Sequence, residues 1–369
     1  MTMLCKKLFR FFIPPLLVLT MLATPAMAVF QDPLDMAALK QSNPLGAPFL
    51  GSARSGDSLV VVGPRGLILF SRDQGANWAQ AEVPVQSDLV AVDMASDSRG
   101  WAVGHDGVIL VTSDGGATWV KQLDGLAAGE QFTSYYRKLL EQGDSRVETA
   151  LELTELNYRD GPALPYLDVW FRDELTGFAV GGFGNIARTD DGGKTWIPWV
   201  HRIANDEGFH LTSVTGVGDD VFIGSERGVL FRLDAEQQFF EQIETDYPGT
   251  FIGVVGADEL VIAYGLQGTV YLSRDRGDNW QEVDDLPGST INHAFRRADG
   301  QGYVLANQAG ELIIGDRRFT HFDVMEMDSA THFTSVVEVS DQVLLVTALE
   351  GLARVTLADR TLTRIRAQE

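Results

Sequence analysis

Four short segments carry the residue types that could perform acid–base or metal chemistry. They read SRDQGANW, TSDGGATW, TDDGGKTW and SRDRGDNW, so a hydroxyl residue, an aspartate, a glycine and a tryptophan recur in fixed order. Each segment supplies only one or two carboxylates and lacks the alternating oxygen ligands of a calcium loop. A catalytic site is normally assembled once from different residues, so fourfold repetition favours a structural turn.

A turn explains each position of the repeated segment. The aspartate can accept hydrogen bonds from backbone N–H groups of the turn, and the glycine can adopt a positive φ without steric cost. The tryptophan then begins the next strand and buries its ring. This interpretation assigns a structural role to Asp73, Trp78, Asp114, Trp119, Asp191, Trp196, Asp275 and Trp280.

The residue pattern gives little support for a metal site, a reactive cysteine or a catalytic site elsewhere in the chain. The six histidines show neither H-x-H nor H-x-x-x-H spacing, which argues against a metal site. Cys5 is the only cysteine and lies near the amino terminus, where the leader described below would remove it. We therefore predict no metal, no cofactor and no catalytic residues, although 51 acidic residues leave a chance carboxylate pair open.

The repeated turn belongs to a longer unit. A glycine stands twelve residues before each motif tryptophan, and the same glycine recurs in three degenerate copies. An apolar residue opens a strand before each of the seven glycines, at Phe49, Leu89, Leu167, Leu211, Phe251, Ile291 and Phe333. A period of about 40 residues with four β runs is typical of a propeller blade. The sequence thus predicts an all-β, seven-bladed β-propeller over residues 49–369.

One interval is too long by nearly a full repeat, and the excess falls within residues 120–165. Glu130 to Gln142 places Phe132, Tyr136 and Leu139 on one face of a helix. Ser145 then begins S-R-V-E, which predicts a capping box for a second helix. We expect a helical hairpin between blades 2 and 3, either packed as decoration on the disc or used to bind a partner.

The first residues have the pattern of a secretory signal. Residues 1–28 combine a basic start, an apolar run and Ala26-Met27-Ala28, which predicts cleavage after Ala28. The apolar run is shorter than the roughly 20 residues of a spanning helix, so we expect no integral membrane segment in the mature chain. The mature protein would be periplasmic or secreted. Residues 29–48 could supply a strand that closes the ring.

The charge limits the partners. The formal net charge of −22 becomes −25 when the three basic residues of the leader are removed. An acidic chain of this kind does not attract nucleic acid through its overall field. We predict a protein partner and no nucleic acid.

The S/T-x-D-x-G-x-x-W turns resemble those of the Asp-box, or BNR, repeat. Seven such units behind a signal are similar to the photosystem II stability/assembly factor family of propellers, over about Phe49 to Arg366. The helical insertion resembles the bacterial branch without a photosystem, of which some members are encoded beside RND-type exporters. The resemblance implies a non-enzymatic assembly factor whose protein partner is membrane-associated, such as an exporter.

A secreted glycosidase or carbohydrate-binding propeller is the alternative, because sialidases also resemble this repeat. The sialidase family is marked by an F/Y-R-I-P stretch, and neither Arg54 nor Arg65 stands in such a context. An enzyme should place two carboxylates with perturbed pKa values close together in the central mouth. A binding scaffold should instead show a broad, uneven surface there.

The topology predicts where a partner would bind. In a propeller the Asp-box turns lie on one face, and the turns between the second and third strands lie on the other, together with the inter-blade connections. The hairpin should therefore share the second face and overhang the channel mouth. Side chains on that face differ from blade to blade, as on a binding surface. We predict a partner site at Arg65, His105, Asp106, Tyr135, Tyr136, Phe183, Glu226, Arg227, Gln267 and Gln308.

Overall fold

The computed structural model describes residues 31–161, 164–327 and 331–366. Strands in these ranges form seven four-stranded antiparallel sheets, each made of four consecutive strands. The predicted seven-bladed propeller is therefore confirmed. The expected signal peptide lies outside the described residues.

The strands follow the chain blade by blade. The first three blades contain β1 Gly51–Ser55, β2 Ser58–Val62, β3 Ile68–Ser71, β4 Ala79–Gln80; β5 Leu89–Met94, β6 Gly100–Gly104, β7 Ile109–Thr112, β8 Val120–Leu123; β9 Tyr166–Phe171, β10 Gly177–Gly181, β11 Ile186–Thr189 and β12 Ile197–Pro198. Blades 4 and 5 contain β13 Leu211–Val217, β14 Asp220–Ser225, β15 Val229–Asp234, β16 Phe239–Glu244; β17 Phe251–Ala257, β18 Leu260–Gly265, β19 Val270–Ser273 and β20 Gln281–Glu282. Blades 6 and 7 contain β21 Ile291–Arg296, β22 Gly302–Asn307, β23 Glu311–Asp316, β24 Phe322–Glu326; β25 Phe333–Ser340, β26 Val343–Ala348, β27 Gly351–Thr356 and β28 Thr361–Arg364. The two α-helices are α1 Gly125–Glu141 and α2 Glu148–Asn157.

The core lies between neighbouring blades. The second strand of a blade is apolar on consecutive residues because other blades cover both of its faces. All five residues of β6 are buried, and so are all five of β2. One cluster joins Val60 of blade 1 to Ala102 and Leu110 of blade 2.

The Asp-box turns are held by their own side chains. Asp114 accepts hydrogen bonds from the Thr112 hydroxyl (2.9 Å) and from the Thr118 backbone N–H (2.9 Å). The Trp119 indole donates to the Gly116 carbonyl at 3.0 Å. The hydroxyl-to-aspartate bond recurs in all four turns. In the first turn, hydrogen bonds from the Asn77 side chain and backbone hold the pKa of Asp73 down to about 2.

The helical hairpin lies between β8 and β9, and so between blades 2 and 3 as predicted. It is part of the core, because Phe132 packs in one cluster with Trp196. Tyr136 is fully buried and its hydroxyl shares a hydrogen bond with Nδ1 of His201 at 3.1 Å. The prediction that Tyr136 borders a partner site is therefore wrong, since helical periodicity identified the apolar face but not how deeply it is buried.

Both helix starts differ from the sequence prediction. Helix α1 begins five residues earlier than Glu130, where the Asp124 carboxylate accepts from the Ala127 N–H. Before α2, Asp144 and not Ser145 caps the chain, accepting from the Arg146 N–H at 3.2 Å. The hydrogen bonds of the Arg146 side chain lower the pKa of Asp144 to about 2. A short aspartate side chain at each turn thus takes the role predicted for a capping box.

The ring closes without a shared strand. Blade 7 is built from its own four strands, and residues 31–48 add a strand to no sheet, so the closing strand expected from residues 29–48 is not found there. Blade 7 instead donates from the Thr334 hydroxyl to the Phe49 carbonyl of the first blade (2.7 Å). The hydroxyls of Ser52 and Ser335 share a further hydrogen bond at 2.8 Å.

Residues 32–48, here called the N-terminal strap, cross three blades. The Lys121 ammonium of blade 2 donates to the Leu34 carbonyl (2.9 Å), and the Ala38 N–H donates to Val83 beside blade 1 (2.9 Å). Leu45 packs in one cluster with Leu352 of blade 7. The strap therefore bridges the seam between the first and last blades from outside the sheets.

Within the described residues, no helix combines the length and the apolar character needed to cross a membrane.

Replacing Trp119 by alanine should destabilise the fold, because its ring is only 4% exposed and would leave a cavity between layers. We expect a loss of about 3 to 5 kcal/mol in the free energy of unfolding, measured by denaturant titration. Trp280→Ala is the control: that ring is only half-buried, so its loss should be smaller. A Trp119→Ala curve that overlays the wild type would refute the structural role of the motif.

Candidate binding surface on the upper face

The two ends of each blade differ in what they carry. The strands alternate in direction, so turns between the second and third strands share one face with the connections between blades. We call this the upper face, and the face with the Asp-box turns the lower face. Helix α1 contacts the turn His105–Gly107, which puts the hairpin on the upper face. It also contacts β12, the outermost strand of blade 3. None of its described residues is among those that line the central channel.

The upper-face turns of the first five blades share one unusual backbone geometry. Each has a non-glycine residue at a φ between 54° and 58°, followed by a glycine that also has a positive φ. These residues are Arg65, Asp106, Phe183, Arg227 and Gln267. A positive φ at a residue with a side chain costs roughly 1–2 kcal/mol. Five residue types therefore occupy one strained position, and only the backbone repeats.

On blades 3 and 4 the structure brings together three of the predicted residues. The Phe183 N–H donates to Nδ1 of His210 (2.9 Å), and the two rings lie 4.7 Å apart. The His210 N–H in turn donates to the Glu226 carboxylate at 2.7 Å. The Arg227 guanidinium lies over the Phe209 ring, 5.5 Å from its centre. His210, which was not predicted as a partner-site residue, connects this group.

The other predicted residues lie in separate places. On blades 1 and 2, the Arg65 N–H donates to Asp88 (2.8 Å), and the Asp106 carboxylate accepts from Ser87 (2.7 Å). His105 is exposed beside them. The backbone N–H groups of Gln267 and Gln308 both donate to Thr290, on blades 5 and 6. Tyr135 is half-buried on the hairpin, with its ring 5.5 Å from that of Tyr136. The predicted residues therefore form separate groups around the ring.

Sequence reasoning missed the apolar part of this face. Leu266 and Leu349 are exposed, and each directly precedes the central residue of an upper-face turn. Phe183 is 55% exposed. Each of these leucines directly follows a mostly buried strand, so the sequence alone suggests a core residue. The turn instead directs its side chain outward. These apolar groups share the upper face with Arg65 and Arg227, so the face is amphipathic.

The innermost strands line a central channel with a cavity of about 370 Å³. Two half-buried carboxylates face it. Asp93 accepts from the Phe171 N–H (2.7 Å), and Asp168 accepts from the Val214 N–H (2.8 Å). Enclosure away from bulk water raises the pKa of Asp93 to about 6 and that of Asp168 to about 7. These are carboxylates with perturbed pKa values of the kind that the glycosidase alternative requires, and each is hydrogen-bonded to the next blade.

A third titratable group in the channel is His293. Its burial lowers the pKa to about 4, so the ring is neutral at pH 7. Its Nδ1 accepts from the Val336 N–H at 3.5 Å. Among the described residues there is no group of three or more histidine, cysteine or acidic side chains placed to hold a metal ion.

Comparison with known proteins relates this geometry to a family. A family model described as "Photosynthesis system II assembly factor YCF48" matches residues 70–146 and 150–315, which is more than half of the chain. The chain belongs to the YCF48 family. The predicted resemblance to the photosystem II assembly-factor propellers is therefore confirmed.

Relatives in the YCF48 family match over part of their length. The chain is 30% identical over 151 residues to a photosystem II assembly lipoprotein Ycf48 of Synechococcus sp. (strain CC9902), covering 40% of this chain and 44% of that protein. It is 27% identical over 139 residues to the chloroplastic photosystem II stability/assembly factor HCF136 of Oryza sativa subsp. japonica, covering 36% of this chain and 33% of the relative. The matches thus span less than half of each relative. These relatives are named as assembly factors and not as enzymes.

Solved structures share the fold at low identity. The structure described as YCF48 bound to D1 peptide has a TM-score of 0.59 and 16% identity, covering 85% of this chain and 97% of that one. The WD40 β-propeller domain of Doa1 has a TM-score of 0.60 and 11% identity, covering 91% of this chain and 96% of the other. Similar scores for the two structures show that the likeness is one of propeller architecture.

The channel carboxylates predict a pH-dependent stability. The pKa of Asp168 is raised from 3.8 to about 7 in the folded protein, so the stability it contributes is present below about pH 4 and is lost as the pH rises through 7. Asp168→Asn removes this titration and leaves the side chain with a single acceptor oxygen at every pH. The melting temperature of the wild type minus that of Asp168→Asn should therefore decrease between about pH 4 and about pH 8. A difference that is constant or increases over this range would contradict the raised pKa.

Proposed function

We propose that the protein is a non-enzymatic, extracytoplasmic assembly factor that holds a protein partner on its upper face. The observation that carries this proposal is the strained position that recurs on five blades. Evolution of a purely structural turn would favour glycine there, because glycine adopts a positive φ without cost. Five different side chains at that position are better explained by contacts with a partner.

The chemistry of the face suits a polypeptide with apolar and acidic parts. Phe183 and the exposed Leu266 supply apolar surface. Arg65 and Arg227 are exposed cations in a chain whose overall charge would repel an acidic partner. Local cations on an acidic protein therefore select where such a partner docks. A relative in this family has been described in complex with a peptide, which agrees with protein binding as the mode of action.

Export to the periplasm and the class of partner are proposed from the sequence. The leader pattern of residues 1–28 supports export to the periplasm, with cleavage after Ala28. Similarity to the branch encoded beside RND-type exporters suggests such an exporter, or another membrane complex under assembly, as the partner. Several relatives are named lipoproteins, which agrees with a partner at a membrane.

The second candidate function is a glycosidase or a carbohydrate-binding propeller, and Asp93 and Asp168 are the observation in its favour. Both carboxylates already accept backbone N–H groups from the next blade, which ties them to the geometry of the ring. A general acid must instead present its proton to a substrate oxygen. We therefore favour the binding role.

Charge reversal tests the cations of the upper face. The double variant Arg65→Glu, Arg227→Glu should reduce partner capture from native membranes by about tenfold or more, because each lost charge-assisted contact contributes about 1.5 to 3 kcal/mol. The measurement is a quantitative pull-down with the tagged mature protein. The melting temperature should stay near that of the wild type, because both side chains are exposed.

Arg360→Glu is the matched control for this experiment. Arg360 is also exposed and also has a positive φ (52°), but it lies in a turn of the lower face, where it pairs with Asp323. Capture should be unchanged by this substitution. If Arg360→Glu reduces capture as much as the double variant does, the effect is one of overall charge and the assignment to the upper face fails.

Photo-crosslinking locates the partner directly. A photoreactive phenylalanine at position 183 should crosslink to the captured protein, whereas the same group at position 175 should not. Phe183 and Leu175 belong to the same blade and are 55% and 57% exposed, but they lie on opposite faces. Crosslinks that form only from position 175 would place the partner on the lower face and overturn the proposal.

A further inference from the structure

The lower face carries a basic pocket that the proposed partner site does not use. The pocket lies between blades 5 and 6 and has a volume of about 500 Å³. Its charged lining residues are Arg274, Arg296, Arg317 and Arg318, with Asp258 and Glu259. Four cations and two anions give a formal charge of +2, in a chain whose net charge is −22. A local excess of positive charge attracts anions even though the protein as a whole is negative.

The turn that presents two of the arginines is held by hydrogen bonds to its own aspartate. Arg317 and Arg318 follow β23 in a modified Asp-box turn. The Asp316 carboxylate accepts from the N–H groups of Arg318 (3.0 Å) and Thr320 (2.8 Å). The side chain of Phe319, the next residue, is buried in the core and anchors the turn. A fixed backbone reduces the entropy that must be lost when a ligand binds.

A tyrosine hydroxyl forms part of the pocket wall. Tyr303 lines the pocket although its side chain is only 2% exposed, and it stands directly opposite Arg296 in the strand register. Burial raises the pKa of Tyr303; the charge of Arg296 opposes this shift and the charge of Asp258 adds to it. In the described part of the chain, the Tyr303 hydroxyl has no hydrogen-bond partner. The hydroxyl reaches the solvent of the pocket, so this donor is available for an acceptor on a ligand.

The guanidinium groups of Arg296 and Arg318 are also available to bind a ligand. Within residues 31–161, 164–327 and 331–366, the side chains of Arg296 and Arg318 have no acceptor. Arg274 donates to the Arg318 carbonyl at 2.7 Å, and Arg317 makes only a long contact of 3.8 Å with Asp258. The planar fork of arginine matches the oxygens of a phosphate group.

We propose that this pocket binds a phosphoryl group carrying two negative charges. Arg296 and Arg318 donate to its oxygens, and the Tyr303 hydroxyl donates from the wall of the pocket. A dianion neutralises the formal charge of +2, and the volume accommodates a small organic group beyond the phosphate. The phosphoryl group belongs either to a soluble phosphomonoester or to the headgroup of a phosphatidic acid.

Calorimetry with the full mature chain at low salt tests the proposal. The soluble probes are inorganic phosphate and glycerol 3-phosphate, and flotation with phosphatidylcholine vesicles, with and without phosphatidic acid, tests the lipid source. In whichever arm binds, Arg296→Gln and Arg318→Gln should each weaken binding by about tenfold or more, since hydrogen bonds to charged groups contribute about 1.5 to 3 kcal/mol. Tyr303→Phe, which keeps the ring in the core, should weaken it by several-fold.

Arg72→Gln is the matched control. Arg72 occupies the same position in its Asp-box turn as Arg274 and also donates to a carbonyl of the next blade, that of Asp114, at 2.6 Å. It lies outside the pocket, so phosphate binding should not change. Melting curves of all variants show whether each protein is folded.

The outcomes separate the alternatives. Binding of glycerol 3-phosphate identifies a soluble ligand, and binding only to vesicles with phosphatidic acid identifies a lipid; either supports the pocket if the arginine variants weaken it. Absence of binding in both arms, binding that the folded variants do not weaken, or equally tight binding of succinate would overturn the proposal. Because the pocket is on the lower face, its failure would leave partner capture by the upper face untouched.

Discussion

Polar side chains that connect the inner strands of neighbouring blades hold the seven sheets in a ring. The ladder of each sheet ends at its last strand, and backbone pairing between blades is found only as isolated bridges such as Glu82 with Thr118 and Ile203 with Phe240 among the described residues. Beside the channel, the inner strands are connected by single side chains that bond to the backbone of the next inner strand. Examples are Asp93 to Phe171, Asp168 to Val214, Thr212 to Phe251, Asn292 to Phe333 and Thr334 to Phe49. Each contact satisfies a backbone group beside the channel and fixes the spacing of two blades.

With the spacing fixed, the two faces have different freedom to vary. On the lower face the aspartate and the hydroxyl of each full Asp-box are both needed to close the turn, so these two residues recur. On the upper face a glycine at the second turn position fixes the geometry, and the preceding residue is free to change. The upper face is therefore suited to recognition. The arginine pocket lies on the lower face between blades 5 and 6, and the blade 6 turn beside it keeps Asp316 but lacks the tryptophan.

The sequence predicted the features that depend on local chemistry. The Asp-box turns and the seven glycines act within a few residues, so the blade count and the site of the insertion could be predicted correctly. Tyr136 was misjudged because its burial depends on His201, which lies 65 positions away. The caps at Asp124 and Asp144 were missed because several polar residues near each helix start have side chains that can cap a helix. The arginine pocket could not be foreseen, since it combines residues from five separate strands or turns of two blades.

The seam between blades 1 and 7 also determines the order in which the molecule can form. The bond from Thr334 to Phe49 joins residues 285 positions apart, so it is among the least local contacts in the chain. As the chain is synthesised from its amino end, each new blade can pack on the one before it. The outer flank of blade 1, with Leu59, Val61 and Leu69, stays uncovered until blade 7 exists to bury it. An incomplete chain therefore exposes this apolar flank until synthesis is complete, and exposed apolar surface of this kind favours aggregation of unfinished chains.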